Sequence, residues 1–196
     1  KWEVDSLCYP IRLGYGYWKA SRDNAPFDDA WRSAILKIVQ TFLEQQRKNG
    51  KGPYHFMRRT DTQGDTLAGD GYGNAGKPVG MIFSMFRPSD SATLFPLLVP
   101  SNLFAVASLR QAAEMLERIY KDTALAGECR ALANEVEGAL QQYAVIHHVS
   151  FEPVYAYEVD GFGNFYCIDD ANVPSLLSMP YLEAVTTGDK IYRHTR

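Results

Sequence analysis

Apolar positions recur with a helical period along most of the chain, in stretches of two kinds. Residues 5–20 are ring-rich, opened by Asp5 or Ser6 and kinked or restarted at Pro10, where proline removes a backbone donor. They predict an inward-facing helix. In the next stretch Phe27, Trp31, Ile35, Ile38 and Phe42 share one side, while Asp29, Arg32, Lys37, Gln40, Glu44 and Arg47 hold the other. That helix is amphipathic and keeps one face in water. A third helix, from about Asn102 to Tyr120, is apolar all round in Leu103-Phe104-Ala105-Val106-Ala107 and therefore buried there. A fourth follows at once, with Leu125, Cys129, Leu132, Val136, Leu140 and Tyr143 on one stripe. Asn172 to Leu182 predict an apolar fifth helix, broken by Pro174 and Pro180, and Asp189 to Arg196 the opening of a sixth.

Between these stretches the pattern dissolves. Residues 49–80 are glycine-rich and polar, with a short strand expected within residues 54–59. Long connections in compact domains are commonly functional. In a second loop, 144–171, Asp160-Gly161 predicts a β-hairpin turn, and His147-His148 reads as a pair of surface or packing histidines. A buried helix, an amphipathic helix and a loop thus recur three times. Antiparallel helical hairpins whose inner members form a ring produce that alternation. The predicted fold is mainly α, an (α/α)6 barrel or toroid of helical hairpins, of which this chain is about half. An open α-solenoid is the rival architecture.

Composition narrows the function classes. At 196 residues, 46% hydrophobic and 22% charged, the chain has the make-up of a soluble globular protein with a sizeable core. A net charge of −3 argues against a nucleic-acid partner, which would ask for a basic face. No apolar run suits membrane insertion, and a soluble location, bacterial periplasm or cytoplasm, is expected. Cys8, Cys129 and Cys167 have no metal-like spacing, so each is expected to pack in apolar surroundings. The Gly69–Asn74 run lacks the spacing of a phosphate loop, and Glu158–Asn164 lacks the ligand series of a calcium loop. No cofactor and no metal are expected.

The candidate chemistry centres on Met81–Phe104. One acid, Asp90, and one base, Arg87, stand among apolar and aromatic residues, and Pro88, Pro96 and Pro100 stiffen the segment. A rigid loop of this kind can hold a carboxyl group in a shielded pocket. Asp90 could equally cap its own loop within Ser89-Asp90-Ser91. Asp169, Asp170 and Asn172 either cap the fifth helix or bind sugar hydroxyls, and Asp5 carries the same ambiguity. Three inner helices, each preceded by acids or amides (Asp5; Asp90 with Asn102; Asp169 with Asn172), would aim polar groups at one end of one cavity.

Five motifs then converge on one family. Glu3-Val-Asp-Ser-Leu-Cys-Tyr-Pro, Phe86-Arg-Pro-Ser-Asp-Ser-Ala, Val99-Pro-Ser-Asn-Leu-Phe-Ala-Val, Tyr157-Glu-Val-Asp-Gly-Phe-Gly-Asn and Ile168-Asp-Asp-Ala-Asn-Val-Pro-Ser-Leu-Leu occur in order along the chain. Together they resemble glycoside hydrolase family 125. The resemblance implies a metal-independent exo-α-1,6-mannosidase of (α/α)6 fold that removes non-reducing terminal mannose from an oligosaccharide or N-glycan with inversion. It implies Asp90 as general acid, although Ser91 stands where the family often has a second Asp. Arg87, Asp5, Arg59, Asp169, Asp170 and Asn172 are then expected sugar contacts. An inverting enzyme also needs a carboxylate base about 6.5–9.5 Å from the acid. The resemblance places that base in a Glu motif downstream of Arg196. Residues 1–196 are accordingly expected to be a partial catalytic domain, inactive alone, whose partner is the missing C-terminal half of the same barrel. Another (α/α)6 glycosidase, such as a glucosidase, and a non-catalytic sugar-binding or scaffold fragment are the alternatives.

Overall fold

The computed structural model describes residues 1–196. Helix α1 spans Asp5–Ser21 and α2 spans Asp29–Gln45. A single turn, α3, covers Ala68–Gly71. Helix α4, Val99–Met115, runs directly into a π-helical turn over Leu116–Tyr120, and α5 covers Thr123–Tyr143. A short α6, Lys190–Thr195, closes the order. Five short strands lie between them: β1 at Leu97–Leu98, β2 at Val145–His148, β3 at Phe151–Tyr155, β4 at Glu158–Val159 and β5 at Phe165–Tyr166.

Helix α4 is the centre of the core. Nearly all of its residues are buried, because α1 packs along one side of it and α5 along another. Ala105, Ala107, Ala112 and Ala113 allow that close approach. The outer helices behave as their stripes require. Asp28 caps α2 by accepting from the Trp31 amide, and Asp122 caps α5 by accepting from that of Leu125. Ile35, Ile38 and Phe42 of α2, and Leu125, Cys129, Leu132, Val136 and Leu140 of α5, turn into the same core.

Several expectations are corrected. Helix α1 runs through Pro10 without restarting, and neither Asp5 nor Ser6 caps it; Val4 occupies the cap position with helical dihedrals. Its inward-facing character is one-sided: Cys8 and Ile11 are buried, while Tyr9, Leu13 and Tyr17 stand exposed on an open groove of about 840 Å³ shared with Tyr181. Helix α4 begins at Val99, before Asn102, because Pro100 suits a first helical turn whose N–H groups have no partner. Residues 54–59 form no strand. His147 and His148 lie on β2 rather than in a loop, and His148 stacks on Phe151 with ring centroids 4.8 Å apart. Cys167 is exposed, not packed.

The fifth helix does not form. Between Pro174 and Pro180 the hydroxyls of Ser175 and Ser178 accept each other's backbone N–H, and this local bonding closes turns instead. The repeat of buried and amphipathic helices is therefore realised twice, by α1 with α2 and by α4 with α5. No helix is long and apolar enough to cross a membrane.

Candidate active site

The small sheet brings the two loops together. β4 is its central strand, antiparallel to both neighbours: Leu97 pairs with Val159, Leu98 with Glu158, and Glu158 with Tyr166. The connection between β4 and β5 is the hairpin that Asp160-Gly161 predicts. Asp160 accepts from the amides of Phe162 and Asn164, and Gly161 has φ +78 with no room for a Cβ beside the Lys77 carbonyl. The sheet thus stitches the start of α4 to the 157–166 segment, and the 81–98 loop folds onto it.

That loop is rigid for reasons beyond its prolines. Met81, Ile82, Phe83, Met85 and Phe86 are buried. Asn102, fully buried in the first turns of α4, accepts from the Ile82 amide at 2.7 Å and donates to the carbonyls of Ile82 and Leu98, each at 2.9 Å. It is a backbone clamp, and it aims no polar group at a cavity. Trp2 holds the next residue by donating to the Phe83 carbonyl at 2.6 Å.

From this base a hairpin projects. Phe86 pairs with Ala92, the Arg87 amide donates to the Ser91 carbonyl, and the Asp90 amide donates back to the Arg87 carbonyl at 2.9 Å. Pro88 stands at the second position of the turn, where its fixed φ fits, and Asp90 takes the left-handed conformation with φ +67. Aspartate tolerates that region better than most residues.

Asp90 does not sit in a shielded pocket in this chain. Its side chain is 76% exposed, and Lys1 Nζ lies 2.8 Å from Oδ1 while resting 4.7 Å from the Phe86 ring centroid. The Lys1 hydrogen bond and charge hold the carboxyl below its ordinary pKa, where an apolar pocket would have raised it. Lys1→Met removes both effects, so the Asp90 pKa is expected to rise. A carboxyl-carbon NMR titration is expected to show that rise, and an unmoved titration curve would contradict it.

Arg87 is not Asp90's partner. Its Nε donates to Glu158 Oε1 at 2.6 Å, and its guanidinium lies 5.7 and 5.8 Å from the ring centroids of Tyr157 and Tyr166. Glu158 has no exposed side-chain surface, and its Oε2 accepts from the amides of Leu94 and Phe95 at 3.0 Å each. In the sequence Glu158 reads only as part of a turn, because nothing local reveals that its partner lies 71 positions away.

The remaining candidates divide. Asp170 accepts from the amide and side chain of Asn172; burial raises its carboxyl pKa, but the polar groups of Ser89 and Asn172 and the charge of Arg87 outweigh burial and leave it lowered. Asn172 is exposed and bonded to Asp170 at 2.9 Å. Asp169 caps the 175–178 turns, its two oxygens accepting from the amides of Leu176 and Leu177. Arg59 is exposed, with no ion pair. Tyr157 contributes a buried hydroxyl without a hydrogen-bond partner, a feature that no sequence motif announces.

Asp5 is the one buried carboxylic acid among the predicted site residues. It lies at the start of α1 with Ser101 Oγ 3.4 Å away, and burial, with a smaller push from Glu3, raises its pKa to about 6. The folded state therefore binds this proton more tightly than the unfolded chain, whose Asp titrates near 4. The sign follows: stability from this group is full below the unfolded pKa and is lost as pH rises to about 6. Asp5→Asn is expected to flatten the fall of Tm over that interval; an unchanged slope would contradict it.

The chain matches the metal-independent alpha-mannosidase (GH125) family over residues 1–196 and belongs to it. A curated relative, the Meiotically up-regulated gene 157 protein of Schizosaccharomyces pombe, is 39% identical over 100% of this chain and 40% of its own length. A solved structure from Streptococcus pneumoniae, a metal-independent alpha mannosidase in a non-productive substrate complex with alpha-1,6-mannobiose, superposes with a TM-score of 0.95. It is 39% identical, over 100% of this chain and 46% of that one. The chain spans less than half the length of either relative.

Proposed function

We propose that the protein to which these residues belong is an exo-α-1,6-mannosidase that removes non-reducing terminal mannose from oligosaccharides or N-glycans with inversion. The observation that carries this reading is the family match across all of residues 1–196, together with the hairpin that presents Asp90 at its tip, held at its foot by the Arg87–Glu158 pair. Asp90 acts as general acid, giving its proton to the glycosidic oxygen as the bond breaks. A glutamate from the part of the family's length that this chain does not span deprotonates water on the opposite face of the sugar. Arg87, Asp5, Arg59, Asp169, Asp170 and Asn172 are the candidate sugar contacts. Asp169 accepts local hydrogen bonds from the Leu176 and Leu177 amides and would contact sugar through its remaining lone pairs, whereas Asn172 donates to Asp170 and would contact sugar through its side-chain oxygen.

The architecture proposed for the whole is an (α/α)6 toroid, with residues 1–196 a partial catalytic domain, inactive alone, and the remaining length completing the ring. The exposed face of α1, with Tyr9, Leu13 and Tyr17, suits helices packing from that side. The test is hydrolysis of α-1,6-mannobiose beside an α-1,6-linked glucose disaccharide by the full-length protein. Mannose release with little glucose release supports the reading; preference for the glucoside moves the protein to another (α/α)6 glycosidase, and no release of either returns it to a sugar-binding or scaffold role.

A further inference from the structure

We propose that Glu158 is a positioning residue for the Asp90 turn, acting through Arg87 on one arm of the hairpin and through the Leu94 and Phe95 amides beyond the other. The inference rests on Asp90 being the general acid.

The hairpin that carries Asp90 projects to the surface, so its orientation is decided where its two arms leave the core. One carboxylate grips both. Glu158 Oε1 takes the Arg87 guanidinium on the entering arm, and Oε2 takes the two amides that follow the leaving arm. Glu158 cannot drift, because it is fully buried on the middle strand of the sheet, with Leu98 on one side and Tyr166 on the other. Nor can Arg87 swing freely: Tyr157 and Tyr166 both lie within 6 Å of its guanidinium, and its planar fork meets a carboxylate in few orientations. The distance between the arms is thereby set by one side chain.

A buried charge pair is weak evidence for stability, because two ions must leave water to form it. Its placement here, at the foot of the one turn that holds a candidate acid, is what a positioning role explains. Loss of the grip would tilt the turn. A displacement of about 1 Å at a reacting group is enough for a rate loss of about 10²-fold.

The experiment uses the full-length protein and two substrates. α-1,6-Mannobiose has a sugar leaving group that needs the acid's proton, whereas a dinitrophenyl α-mannoside expels a phenolate that does not. For Glu158→Gln the expected result is a fall in kcat on mannobiose of about 10–100-fold with KM little changed, and a much smaller fall on the aryl mannoside. Asp90→Asn, run beside it, must show the same split; if it does not, the acid assignment itself fails. If Asp90→Asn shows the split while Glu158→Gln loses both activities equally, Glu158 is merely structural and the inference is overturned. Should Glu158→Gln not fold, Glu158→Asp decides: it keeps the charge opposite Arg87 but is too short to grip both arms, and equal losses on both substrates overturn the inference in the same way.

Discussion

Asp90→Asn in the full-length protein is expected to lower turnover of α-1,6-mannobiose by about 10²–10⁴-fold, the range a positioned general acid supplies. The fold should survive, because asparagine accepts the left-handed conformation at φ +67 as readily as aspartate does. Only one side-chain ion pair is lost, that with Lys1, and a pair whose carboxylate is 76% exposed contributes little. Rate and stability are therefore separable at this position. The structure also shows what the acid role must overcome. Lys1 stabilises the ionised carboxyl, and a general acid must keep its proton at working pH. The proposed acid role therefore requires a state in which Lys1 no longer holds Asp90 ionised. A variant with near wild-type turnover on the unactivated disaccharide would remove Asp90 from the mechanism.

The second large effect concerns stability. Asn102→Ala is expected to destabilise the chain by about 2–5 kcal/mol in denaturant unfolding, since each unsatisfied buried polar group costs roughly 1–3 kcal/mol. The substitution strands the Ile82 amide and carbonyl together, in a place that solvent does not reach. It also removes the link from Leu98, so the 81–98 loop loses its tie to α4 at two points. Asn102→Asp tests the geometry further. It keeps an acceptor for the Ile82 amide, but faces two carbonyls with no amide to donate. A loss below about 1 kcal/mol for Asn102→Ala would show that the clamp does not hold the loop.

What could be read from the sequence follows from where the determinants lie. The stripes of α2 and α5 and the all-round apolar start of α4 declare their burial, because a helix's environment is written in its own period. The β4–β5 hairpin was equally legible, since Asp160 and Gly161 supply the turn's bonds and its positive φ locally. The missing fifth helix was not: its apolar content matched a buried helix, while the reciprocal bonds of Ser175 and Ser178 decided the backbone.

At the site the same division holds. Pro88 and the polar run around Asp90 marked the turn, but the partners of Arg87 and Asp90 are set by tertiary placement. Arg87 reaches Glu158 across 71 positions and Asp90 meets Lys1 across 89. The expectation of a shielded acid failed because apolar neighbours in sequence point into the core beneath the hairpin, not around its tip. Asn102 is legible in the sequence as a polar residue at a buried helix start, but its partners are the backbone groups of Ile82 and Leu98, which only the tertiary fold brings to it.

Inverting exo-α-1,6-mannosidase activity of the full-length protein can be read in one experiment. Proton NMR of α-1,6-mannobiose mixed with the full-length protein reads release, linkage and anomer in a single time course. Free mannose is expected to appear first as the β-anomer, with the α-anomer growing only as the product mutarotates. First-formed α-mannose would contradict inversion and with it the water-activating base, and an unchanged disaccharide spectrum would contradict the activity itself.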